Sequence, residues 1–308
     1  MFNFKNLKEF MAYFSDEKIC WDYLEKKCWD GKPVCPHCGC TNVYRLNNYK
    51  QFKCGNKKSC DKKFTVLVGT VMQNTKLPLS TWMAAIFLVT NHKKEISSLQ
   101  LGRDLGISKH TSWYLIHRIR EMVKPVQNIE LTQTVAIDET YVKGVAANRT
   151  KKERAKIASG ERIDNPMVVL GMVEPKGNAV LTVVKSAETH ELEPAINKTV
   201  RNAETIIVTD GHVSYPAIGL NYKGHIIINH AMGEYVNAGY STNAAEGAFS
   251  WFKKTIFGTY HYVSPKHIQR YCAMFSYIYN TRRFSDALRF DTTMAQLKGS
   301  ITYKRLIA

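Results

Sequence analysis

The chain has 308 residues, 44% of them apolar, with 43 Lys and Arg against 26 Asp and Glu for a formal charge of +17. That apolar share supports true cores and excludes a disordered or fibrous chain, and the length suits two domains with room for a small third unit. The longest apolar run, Trp82 to Val89, is eight residues, far below the roughly 20 of a membrane helix, so no membrane association is expected.

The opening residues interleave Lys and Glu with apolar side chains and offer neither a signal h-region nor a cleavage site, so a cytoplasmic protein is expected. Basic residues outnumber acidic ones 21 to 11 over positions 1–130 and 22 to 15 beyond, so no single tail carries the excess. A polyanionic partner follows, and nucleic acid is the commonest one for such a chain.

Seven of the eight cysteines fall in the first sixty residues: Cys20, Cys28, Cys35, Cys38, Cys40, Cys54 and Cys60. In an intracellular chain that crowding favours metal ligation over disulfides. Cys35-Pro36-His37-Cys38-Gly39 has the form of a zinc knuckle, with two thiolates one tight turn apart. Cys54 and Cys60 supply a second pair after strand-like stretches at Asn42–Arg45 and Gln51–Lys53. Together they predict a Zn²⁺ site in a zinc ribbon, whose second hairpin must bulge around Gly55–Lys58 because its gap exceeds the usual spacing. Cys40 and His37 stand as alternatives for one ligand. Cys20 and Cys28, in a helical stretch with Trp21, Tyr23, Leu24 and Trp29, read as core. So small a ribbon draws much of its folding energy from the metal.

Apolar residues at Leu79, Trp82, Met83, Ile86, Phe87 and Val89 recur at helical spacing, with Pro78 near the start and Ser80 as a candidate N-cap. Residues 96–120 then read as a short helix, a glycine turn and a second helix opened by Ser108, a helix-turn-helix arrangement. Its second helix is expected to turn Lys109, His110, Thr111 and Tyr114 toward a DNA groove and Trp113, Ile116 and Ile119 toward the core.

From Leu131 the texture becomes β-rich. Thr134–Ile137 predicts a strand ending on Asp138 and Glu139, Met167–Val173 and Ala179–Val184 predict two more, and Thr205–Thr209 predicts one ending on Asp210. Carboxylates at strand ends sit where a sheet opens to solvent, although Asp210 before Gly211 also suits an ordinary turn. Asn243–Lys254 reads as a helix with Asn243, Glu246, Ser250 and Lys253 on one face, which is equally the pattern of a plain surface stripe.

Several separated words strengthen this reading: Ile137-Asp138-Glu139-Thr140-Tyr141, Val208-Thr209-Asp210-Gly211, Asn229-His230, Thr242-Asn243 through Glu246 to Lys253, Gly258-Thr259-Tyr260-His261, Lys266-His267 with Arg270-Tyr271, and Tyr279-Asn280-Thr281-Arg282. In content and order they resemble the bacterial insertion-sequence DDE transposases with an ISXO2-like catalytic domain. The cysteine knuckle, Gly69-Thr70 and the Trp82 helix resemble that group's zinc-ribbon and helix-turn-helix preface. Departures from its pattern are Ser241 in place of His, Met274 in place of Glu, and Val142-Lys143-Gly144 in place of a glycine-richer turn.

The resemblance implies a zinc ribbon and N-terminal helices over residues 1–70, a helix-turn-helix segment over 71–130, and an α/β catalytic domain of ribonuclease H-like fold, a mixed sheet flanked by helices, over 131–308. It implies two Mg²⁺ or Mn²⁺ ions, with Asp138 bridging them and Asp210 and Glu246 each completing one shell. The family uses Glu or Asn at its third position, so Asn243 stands as a helper or an alternative to Glu246. Lys253 is implied as a phosphate contact, and Lys254, His261, Arg270 and Arg282 as candidates for the DNA path. The basic tract Asn148–Arg162 reads as a loop, either gripping phosphates or simply solvated. Implied partners are double-stranded DNA, as the element's terminal inverted repeats and as target, and further copies of the chain. The implied reaction is phosphodiester hydrolysis followed by attack of a 3′-hydroxyl on target DNA. Two other readings are a non-catalytic, domesticated DNA-binding regulator and a plain ribonuclease H-like nuclease; retention of all three carboxylates and Lys253 argues against the regulator.

Overall fold

The computed structural model describes residues 4–124, 128–142, 155, 158–159, 167–299 and 301–307. The chain divides into two packed units, residues 1–123 with 283–308, and residues 124–282. The closing stretch from Arg283, placed with the second half in the sequence reading, therefore folds with the first. Among the described residues no helix is long and apolar enough to cross a membrane.

In the first unit, Asn6 and Asp16 cap α1 (Leu7–Tyr13) and α2 (Glu17–Trp29) by accepting the backbone N–H groups of Glu9 and Lys18. The ribbon follows as three short antiparallel strands, β1 (Val43–Arg45), β2 (Phe52–Cys54) and β3 (Lys63–Phe64). The next helix, α3 (Leu79–Asn91), is buried along most of its length. Its start is not capped by Ser80. Instead Glu17 reaches from α2 and accepts from the backbone N–H groups of Leu79 and Ser80 and from the Ser80 hydroxyl, placing a carboxylate on the positive end of the helix.

Ser97 and Ser108 cap α4 (Ser98–Leu105) and α5 (Lys109–Met122). Between them Gly106 adopts φ +64°, the left-handed turn that favours glycine. Gly102 lets the two helices close up, since a Cβ there would stand 2.9 Å from the Ile107 carbonyl oxygen. The returning helix α10 (Asp286–Met294) brings Phe290 into contact with the rings of Phe4, Phe10, Phe14 and Tyr23. This aromatic core is why the closing segment belongs to the first unit.

The second unit is built on a five-stranded sheet of order β6-β5-β4-β7-β8. Its strands are β4 (Thr134–Val142), β5 (Met167–Val173), β6 (Ala179–Val184), β7 (Ile206–Asp210) and β8 (Gly224–Ile228). The first three form an antiparallel meander, and β7 and β8 continue parallel to β4. One face packs on α6 (Thr189–Thr199) and α7 (Tyr215–Gly219), with Leu192, Ile196, Tyr215 and Ile218 in its core. The other is covered by α8 (Asn243–Thr255) and α9 (Ile268–Asn280) through Phe249, Phe252, Tyr271 and Phe275.

The edge strand β6 is closed by side chains rather than by another strand. Its outward N–H groups at Ala179, Leu181 and Val183 donate to Asn280 Oδ1 (2.7 Å), Ser276 Oγ (3.0 Å) and Gln269 Oε1 (2.8 Å) of α9. Asn280 also donates back to the Ala179 carbonyl at 3.1 Å. Helix α9 thus satisfies backbone groups that would otherwise be left unpaired at the sheet's edge. Arg282 belongs to the same closure: it stacks 4.2 Å over the Tyr279 ring and donates to the carbonyls of Tyr279 and Gly177. The basic side chains of the tract 148–162, and the Lys143-Gly144 turn, lie outside the described residues.

Candidate metal centre and acidic site

In the ribbon, the Sγ atoms of Cys35, Cys38, Cys54 and Cys60 all lie within 4.8 Å of one another. Cys35 is 3.8 Å from Cys60, and Cys38 is 3.5 Å from Cys54. Tetrahedral zinc with Zn–S bonds of about 2.3 Å places its sulfurs about 3.8 Å apart, so the thiols fit that ion.

Local backbone explains the arrangement. Gly39 at φ +73° closes the first knuckle by donating to the Cys35 carbonyl. In the second, the Asn56 N–H points at the Cys54 sulfur and Cys60 N–H returns to the Asn56 carbonyl, which takes up the extra residues as expected. Burial opposes ionisation of Cys35, but the N–H groups of His37 and Cys38 outweigh it and bring the thiol down to about 7. Cys54 is pushed up to about 12 despite the Asn56 N–H, by desolvation and the neighbouring thiols. Four thiolates cannot share this pocket without a cation. Cys40 stands outside the set, its sulfur 3.7 Å from the Asn42 carbonyl oxygen, and His37 is not part of it. Cys20 is buried as expected, whereas Cys28 is exposed on α2 rather than packed in a core.

The acidic residues meet through sheet register. Parallel pairing of β4 with β7 runs from Thr134 opposite Ile206 to Ala136 opposite Val208. The same register carries Asp138 level with Asp210, on the same face of the sheet. Contrary to the expected strand end, β4 does not stop at Asp138: its antiparallel pairing with β5 continues to Val142 opposite Met167. Asp138 therefore sits where the parallel partner gives out and the antiparallel one persists.

Helix α8 brings the third carboxylate over that point. Gly171, paired with Asp138, has no side chain, and a Cβ there would stand 2.6 Å from the Phe249 ring. The absent Cβ lets α8 lie close on β5, and Glu246 is one helical turn before Phe249 on the same face. Burial first, then repulsion from Glu139, Asp210 and Glu246, pushes the Asp138 carboxyl up to about 7 against the single Glu139 N–H that favours its charge. Asp210 accepts from the His212 N–H at 3.0 Å.

Three supporting residues are not legible as such in the sequence. On the opposite sheet face the buried Tyr215 hydroxyl donates to Glu139. Thr242 donates to Glu246 Oε1 at 2.9 Å, and the His230 ring lies 3.0 Å from the Thr242 hydroxyl. Tyr215 and His230 depend on which elements are neighbours, whereas the Thr242–Glu246 contact is local to the start of α8.

The remaining expected site residues are placed unevenly. On α8, Asn243 and Lys254 are exposed and Lys253 is half-buried, two turns beyond Glu246. On α5, Lys109 and His110 are exposed and Thr111 is half-buried. Tyr114 is not free for a groove: its hydroxyl donates to the Ile301 carbonyl at 2.6 Å and its ring lies under Arg118. Ile116 and Ile119 are buried as expected, and Trp113 is half-buried. His261 is exposed at φ +59°, its ring 2.9 Å from the Phe257 carbonyl oxygen. Arg270 is half-buried against His267, 3.1 Å from its Nδ1.

Residues 130–280 match the sequence profile of the ISXO2-like transposase domain, and residues 15–63 match that of the transposase zinc-ribbon domain. A curated relative, an uncharacterized protein in transposable element ISH50 of Halobacterium salinarum, is 24% identical over 243 residues, covering 76% of this chain and 81% of the relative.

Proposed function

Because the chain belongs to the insertion-sequence DDE transposases that join a zinc ribbon to an ISXO2-like domain, we propose that it binds the ends of its element and cuts and joins DNA there. The observation that supports this reading is the register that brings Asp138 level with Asp210 on the face covered by α8, with Glu246 near enough to repel the Asp138 carboxylate. The strand order and the antiparallel-then-parallel pattern support a ribonuclease H-like fold.

The carboxylates fit divalent metal. Asp138 is held near neutrality by burial and acidic neighbours, a penalty that a hard cation with oxygen ligands relieves. Asp138 would hold both ions, with Asp210 and Glu246 each holding one and Asn243 beside Glu246. Mg²⁺ held there would lower the pKa of a water or of a DNA 3′-hydroxyl and offset the charge on the leaving oxygen.

The protein's own contribution is position. The Asp138–Asp210 register fixes two ligands on rigid strands, and Gly171 sets the height of the third. Lys253, on the Glu246 face, offsets charge at a phosphate near the scissile bond. Lys254, His261 and Arg270 extend the basic surface of this unit. In the other unit, α4 and α5 act as a helix-turn-helix, presenting Lys109, His110 and Thr111 to end DNA. Two ends must be cut and joined together, so a homo-oligomer is the working form.

The test incubates zinc-loaded protein with DNA bearing the flanking inverted repeats and Mg²⁺. Cleaved ends and joined products are expected. End binding without cleavage would indicate a regulator, and cleavage without joining a plain nuclease.

A further inference from the structure

Thr242 stands at the N-cap position of α8, where a threonine hydroxyl ordinarily accepts a backbone N–H of the first turn. It makes no such cap. The side chain turns instead to Glu246 Oε1, although Thr242 is only 1% exposed and its hydroxyl would otherwise serve the helix start.

The hydroxyl has one proton. Glu246 as a carboxylate only accepts, so that proton goes to Glu246, and the Thr242 oxygen accepts from His230 Nε2. Nε2 must therefore carry a hydrogen, which holds for the neutral ring protonated at Nε2 and for the imidazolium alike. His230 Nε2 also lies 3.4 Å from the same Oε1. The Thr242 hydroxyl thus engages Oε1 with the His230 ring close behind it, and Oε2 is engaged by neither. The Glu246 side chain is otherwise half exposed, and a solvated glutamate keeps rotamer freedom that ligation must remove.

We propose that His230 and Thr242 form a positioning relay that fixes Glu246 for metal binding. The inference rests on the acidic-site reading above and adds two residues that act through Glu246. The relay links the segment after β8 to the start of α8, so it also ties the third ligand to the parallel edge of the sheet. Groups behind a metal ligand commonly set its affinity by about tenfold to a hundredfold.

The test is a calorimetric Mn²⁺ titration of the zinc-loaded full chain without DNA. Thr242→Val and His230→Ala are each expected to weaken binding by about tenfold to a hundredfold, with Thr242→Ser and His230→Gln restoring most of it. Restoration separates positioning from simple packing. Should Thr242→Val lower the melting point of the metal-free chain, His230→Ala carries the test, its side chain being one-third exposed. Wild-type affinity in His230→Ala overturns the relay. Asp138→Asn is the control: if it alone loses Mn²⁺, only the relay falls, and if it binds Mn²⁺ like the wild type, the acidic-site reading falls with it.

Discussion

The ribbon and the acidic site solve the same problem in opposite ways. In the ribbon four thiols are gathered within 4.8 Å of one another, only Cys54 lying in a strand and the other three in turns, and the buried core beside them is little more than Phe52, Phe64 and the ligands themselves. Its fold and its metal are one equilibrium. The carboxylates, by contrast, are mounted on a five-stranded sheet with apolar cores on both faces. That scaffold has cores of its own and is expected to fold without metal, with Asp138 pushed up to about 7 by burial and its acidic neighbours. Zinc should accordingly be structural and Mg²⁺ purely chemical.

Cysteine replacement presses hardest on this contrast. Cys35→Ser removes one of four ligands and should abolish zinc binding and unfold residues 35–64, seen as rapid proteolysis of that region, while α2 stays on the aromatic core through Tyr23. The second unit should keep its melting transition. A folded, protease-resistant ribbon without zinc would erase the distinction.

Gly171→Ala comes next. The added methyl would lie 2.6 Å from Phe249, so α8 must lift or the ring must move. Strand transfer should fall by about a hundredfold, as misplaced catalytic groups commonly produce, while zinc content stays at the wild-type level. Unchanged activity would show that the close approach of α8 to β5 does not set Glu246.

A smaller loss is expected for Asn280→Ala, which leaves the Ala179 N–H and carbonyl without their side-chain partners. About 1–3 kcal/mol of stability should go, read in urea as a shift of the second unit's transition. Metal affinity should hold, because α9 closes the far edge of the sheet from β7. A shift in Mn²⁺ affinity would contradict that separation.

The mildest effect concerns pH. Burial and acidic neighbours push the Asp138 carboxyl up from its ordinary 3.8 to about 7, so between these values the native state binds more protons than the unfolded one. Stability of the metal-free wild type should therefore fall as pH rises from about 4 to 7. Asp138→Asn should remove that slope and melt a few degrees higher at neutral pH, measured with chelator present. A slope that persists in Asp138→Asn would locate the titrating group elsewhere.

The ribbon was legible because a knuckle is a local statement: Cys35 and Cys38 are fixed by one turn, and even the long gap to Cys60 closes within its own loop. The carboxylates were legible as residues but not as a geometry. Asp138 reads as a strand end because polar residues follow it, yet β4 continues, since its partner β5 pairs as far as Met167. Gly171 looks like an ordinary strand residue until Phe249 lies over it. Tyr114 fails as a groove-facing residue because Ile301, nearly two hundred positions away, returns to take its hydroxyl. Arg282 and Asn280 carry a family-like word but close a sheet edge. In each case the deciding partner is distant in sequence, and no periodicity encodes it.

The most direct test of the account compares Asp138→Ala, Asp210→Ala and Glu246→Ala for joining of inverted-repeat DNA in Mg²⁺, with end binding and zinc content measured on the same preparations. Each is expected to lose cleavage and joining while binding ends and zinc as the wild type does. Joining at the wild-type rate by any of the three would contradict it.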